Sequence, residues 1–143
     1  MKSLCYIHSM KNQSKSPEAH SINIRKPNFD LKKDLGHDWF NGSPFNTAFE
    51  NSFSLLFPLG EKAFIESVKH FEKEIEDPKL LQEIYSFYGQ EAAHRKYHQK
   101  YNELLCKLRG YDLEHLTKSQ VKRHQLRYSQ LTPYQRLAST VAA

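Results

Sequence analysis

The sequence predicts an all-α fold, an incomplete helical bundle organised on one long antiparallel hairpin. Three observations predict it. Two long runs repeat apolar residues at steps of three and four, the period of a buried helical face. Asp77-Pro78 stands between them as a helix start, with Asp as N-cap and Pro at the first helical position. The connection is short, so the two helices must be antiparallel neighbours.

Residues 1–20 are polar and carry Pro17, and are read as a disordered tail before one domain spanning residues 21–143. Ser21-Ile22-Asn23-Ile24-Arg25 alternates like a short extended segment, and Phe29 and Leu31 read as a packing arm. Asn41-Gly42-Ser43-Pro44 is a turn, with Trp39 before it as a packing anchor. The first helix then covers residues 45–76. Its apolar face holds Phe49, Phe53, Leu56, Phe57, Phe64, Ile65, Val68 and Phe71, with Glu61 among them. Pro58 predicts a kink or break near Leu56–Leu59. Gly60 predicts close approach of another group.

The second helix covers residues 78–109 and stops at Gly110, with Lys107 and Arg109 complementing the dipole. Its stripe runs Leu80, Ile84, Phe87, then Glu91, His94 and His98, then Tyr101 and Leu105. A carboxylate and two imidazoles thus occupy positions where a core helix wants Leu. Burying a lone carboxylate costs several kcal/mol unless it is paired or holds a metal. Glu-x-x-His places an oxygen and a nitrogen ligand one turn apart on one face, as four-helix di-metal carboxylate proteins do. Glu61 lies 16 residues before Asp77 and Glu91 lies 14 after it, so the hairpin brings them to one level. Tyr88, Tyr97 and Tyr101 read as packing residues. Residues 111–130 read as a weakly amphipathic helix with His115 and His124 exposed. Thr132-Pro133-Tyr134-Gln135 is a capping box that starts a last helix at Pro133.

Net charge is +5 with 21 basic and 16 acidic residues, and the pI is about 9.1. The charges are interspersed. The one basic cluster, Lys122-Arg123-His124 with Arg127, reads as a solvated face, so no nucleic-acid partner is expected. Cys5 and Cys106 form no framework and read as free thiols in a reducing cytoplasm. No signal peptide and no membrane span is expected.

The run Phe57-Pro58-Leu59-Gly60-Glu61-Lys62-Ala63-Phe64-Ile65 and the run Gly89-Gln90-Glu91-Ala92-Ala93-His94, with His98, Tyr101 and Asn102, together carry a resemblance. They resemble the bacterial predicted metal-dependent hydrolase family, which is placed among ferritin-like helical bundles. The match runs from about Ser21 to the last residue. The resemblance implies Glu61, Glu91 and His94 as metal ligands, with His98 as an added ligand or a supporting group. It also implies that this chain is an N-terminal portion, since the family's later Glu-His segment and second Glu-x-x-His are absent.

The chemistry expected is a centre of two divalent metal ions, iron first and manganese or zinc next. Such a centre would activate water against a small-molecule substrate. Di-iron oxygen chemistry at the same ligands and a non-catalytic helical interaction module are the alternatives. Metal content separates enzyme from module. Either a homodimer or a missing C-terminal half is expected to cover the apolar stripe.

Overall fold

A computed structural model describes residues 23–28 and 30–143. The tail over residues 1–20, Ser21, Ile22, Phe29 and Cys5 lie outside the described residues. The fold is all-α: α1 (Lys32–Leu35), α2 (Pro44–Lys69), a short 3-10 turn (Glu72–Glu74), α3 (Pro78–Arg109), α4 (Leu113–Gln130) and α5 (Pro133–Val141). Helices α2 and α3 pack as the hairpin, and α4 and α5 fold back against α2. No strand occurs among the described residues, and residues 23–28 have no regular structure.

Local chemistry sets the boundaries. Ser43 caps α2 by accepting from Asn46 N, with Pro44 next. Asp77 caps α3 by accepting from Lys79 N at 2.9 Å, and Pro78 follows. Gly110 ends α3 in the left-handed region, φ 69°, where a side chain would be strained. The capping box at Thr132 and Gln135 forms in full. Helix α2 ends at Lys69 rather than near residue 76. There the chain tightens so that the Glu72 carboxylate accepts from Tyr85 and Tyr88 of α3.

Pro58 neither breaks nor ends α2. Proline has no N–H, so the Ser54 carbonyl loses its helical donor. Asn102 of α3 replaces it, donating from Nδ2 at 2.8 Å. Buried Asn51 is a second tie between the helices: its Oδ1 accepts from Tyr101 at 2.5 Å and from Trp39 at 3.2 Å. Trp39 is therefore a partly exposed donor as well as an anchor.

The buried face of α2 also departs from expectation. Its buried residues are Thr47, Asn51, Ser54, Glu61, Ala63 and Ser67, the last bonded to Thr140 of α5, while Phe45, Phe49, Phe53, Leu56 and Phe57 are exposed. The aromatic residues lie to one side of the line that meets α3. The apolar core is correspondingly small, with Leu35, Ala63, Leu105 and Cys106 buried. Arg109 holds the α1 turn in place, donating to Leu35 O and His37 O and pairing with Asp38 at 3.1 Å. Gly60 faces open space, so a Cβ there would meet nothing. Gly89 is the close approach instead, since a Cβ there would collide with the Ile24 side chain. His124 is half-buried and stacks on Tyr128 at 5.3 Å; only His115 is exposed as expected. Cys106 is a buried free thiol.

Candidate metal centre

The hairpin sets Glu61 of α2 opposite Glu91 and His94 of α3. One donor atom from each lies within 4.8 Å of the other two. Two carboxylate oxygens and an imidazole nitrogen so close form a donor set that a divalent cation accepts. Ligand bonds of about 2.0–2.2 Å put two donors of one ion up to about 4 Å apart, near the observed spread.

Burial differs across the cluster. Glu61 is only 6 % exposed, Glu91 is half-buried, and His94 opens to solvent. Oxygen Oε2 of Glu61 is buried with no hydrogen-bond partner among the described residues. Such an orphaned acceptor costs about 1–3 kcal/mol or more, and a cation would relieve it. Burial, reinforced by the nearby Glu91 charge and opposed by Arg95, raises the Glu61 pKa to about 7. Burial also raises that of Glu91, with His94 opposing. In both, burial outweighs the opposing group.

His98 borders the cluster. Its Nε2 lies 3.8 Å from Glu61 Oε1, and its Nδ1 lies 3.1 Å from the Ser54 hydroxyl. Phe57 packs its ring edgewise on the imidazole at 4.6 Å. Burial, then the charge of His94, lowers the His98 pKa, so the ring stays neutral. His98 falls outside the three-residue group, one turn further along α3.

Two supporting residues are absent from the sequence reading of the site. Gln90 holds His94, with its amide nitrogen 2.8 Å from Nε2. It also accepts from Arg25 N, which ties the segment before α1 to the site. The spacing of Gln90 to His94 is four residues on one helix, a signal that could have been read. Ser54 orients His98 from 44 residues away, and no local pattern announces it.

The family model described as predicted metal-dependent hydrolase matches residues 23–143. No curated protein and no solved structure matches the chain. Among the described residues no helix is long and apolar enough to cross a membrane.

Proposed function

The chain belongs to the predicted metal-dependent hydrolase family, and from that premise we propose that Glu61, Glu91 and His94 hold a divalent cation for hydrolysis of a small-molecule substrate. One observation carries the reading: donors from two helices converge around a buried Glu61 oxygen that lacks a partner among the described residues. When bound, such a cation lowers the pKa of a coordinated water and polarises a substrate oxygen.

The residues divide the remaining work. Glu61 and Glu91 offset the charge of the cation, which removes the cost of keeping both carboxylates in a half-buried site. Gln90 fixes the ring of His94, and such outer partners tune ligand affinity. His98 is a further ligand or the group that orients Glu61. Neutral and held by Ser54, it is suited to take up a proton beside the centre. The finer reading is a ferritin-like centre of two ions, iron first and manganese or zinc next. A second Glu and Glu-x-x-His set, supplied by a second copy, would complete it.

The test is to load the chain with Fe²⁺, Mn²⁺ or Zn²⁺ in turn, dialyse, and count bound metal by elemental analysis beside hydrolysis of ester and amide probes. Wild type should retain metal and Glu91→Ala should not. Equal metal in both would reject the site. Dioxygen uptake without hydrolysis would keep the site and replace the reaction.

A further inference from the structure

Helices α2, α4 and α5 line a cavity of about 480 Å³ that is partly open to solvent, and none of Glu61, Glu91, His94 or His98 lines it. The volume lies within the roughly 300–1,000 Å³ of small-molecule sites. Leu59, Phe64 and Leu131 give it an apolar wall. Gly60 leaves the α2 side open, because a Cβ there would meet nothing within 4 Å.

Among the described residues three arginines line the same cavity, Arg123, Arg127 and Arg136, and no carboxylate does. Guanidinium groups stay protonated at any ordinary pH, so this concentrates positive charge against an apolar surface. Arg123 and Arg127 are exposed and form no ion pair among the described residues. They stand four residues apart on α4, hence one turn apart on one face. Arg136 is fixed in place: its Nε donates to Leu131 O at 3.1 Å, and its guanidinium lies 4.2 Å from the Tyr128 ring centroid. The nearby Glu66 lines an adjoining hollow and pairs with Lys62 at 3.6 Å.

We propose that this cavity binds a small amphipathic anion, a carboxylate or phosphate monoester head on an apolar tail. Arg123 and Arg127 take the head by charge-assisted hydrogen bonds, which guanidinium makes in pairs. The tail lies along Leu59, Phe64 and Leu131. An anion without a tail leaves the wall wet, and a tail without a charge leaves the arginines uncompensated. The site is independent of the metal reading, since it shares no residue with the carboxylate cluster.

The test is calorimetric titration of the full 143-residue chain, with and without EDTA, using octanoate, octyl phosphate, octanol, acetate and inorganic phosphate. At least one amphipathic anion should bind ten times or more tightly than octanol, acetate or phosphate, and which one assigns the head. The double variant Arg123→Gln/Arg127→Gln should weaken it tenfold or more, with an unchanged helical circular dichroism spectrum. Gly60→Leu should block the cavity and remove binding. Octanol binding as tightly as octanoate, unaltered binding by the arginine variant, or no heat with either anion would overturn the proposal. Failure with EDTA-treated protein is a failure of this site alone, because metal retention is measured separately.

Discussion

The two faces of α2 make opposite use of their residues. The side toward α3 is buried and polar: Asn51, Ser54 and Glu61 meet Tyr101, Asn102 and His98 there. The outward face carries Phe45, Phe49 and Phe53, with Phe45 77 % and Phe49 52 % exposed. The phenylalanines form a ladder, Phe45 on Phe49 at 6.3 Å and Phe49 on Phe53 at 5.0 Å. An ordinary amphipathic helix is the reverse. The difference teaches that the hairpin is joined by specific hydrogen bonds, each contributing about 0.5–1.5 kcal/mol net. Full burial of an apolar side chain contributes about 1.5–3 kcal/mol, and these outer rings fall short of it.

The largest expected effect comes from making the inner face apolar. Glu61→Leu should abolish metal retention and raise the stability of the metal-free chain at pH 8 by about 1–4 kcal/mol, as replacement of uncompensated buried charge often does. Elemental analysis and urea unfolding check the two halves. A variant that keeps its metal would sink the assignment.

Next is the bond that crosses between the helices. Asn102→Ala leaves the Ser54 carbonyl buried without a donor and should cost about 1–3 kcal/mol. Adding Pro58→Ala restores a helical N–H to that carbonyl and should return part of the loss. A double-mutant cycle in urea reads the coupling, and strict additivity would refute it.

The inner face should also make stability depend on pH. The Glu61 pKa is raised from 4.5 to about 7, so the folded metal-free chain holds a proton that the unfolded chain releases. Stability from this group is therefore lost as pH rises between about 4.5 and 7. Urea midpoints of wild type against Glu61→Gln across that window should converge at low pH. No divergence near pH 7 would contradict the raised pKa.

The smallest effect belongs to the outer face. If it is bare in the isolated chain, Phe49→Ser with Phe53→Ser should alter its stability by less than about 0.5 kcal/mol per site. Sedimentation at two concentrations sharpens the comparison. Association in wild type that the double variant loses would show a second copy seated on the ladder.

Much of this was legible in the sequence because the signals are local. The caps at Asp77 and Thr132, the stop at Gly110 and the level of Glu61 against Glu91 all follow from spacing. The misplaced features depend on partners far along the chain. Pro58 read as a break because Asn102 answers it from 44 residues away. Gly60 and Gly89 exchanged roles because Ile24 reaches Gly89 from a segment with no regular structure. The aromatic stripe was legible as a face in want of a cover, because periodicity finds a face and not what covers it.

Pro58 has a consequence for alignment along the helix axes. A regular helix offers a neighbour no free carbonyl in its middle, so two polar helices can slide past one another with little penalty. A proline opens one such carbonyl, at one height. Asn102 can hook only there, three turns along α3 from Glu91, while Ser54 stands two turns along α2 from Glu61. A slip of one turn, about 5.4 Å, would unhook the bond and carry Glu91 out of reach of Glu61. The proline thus acts as a vernier mark, fixing how far along each rod the donor atoms meet.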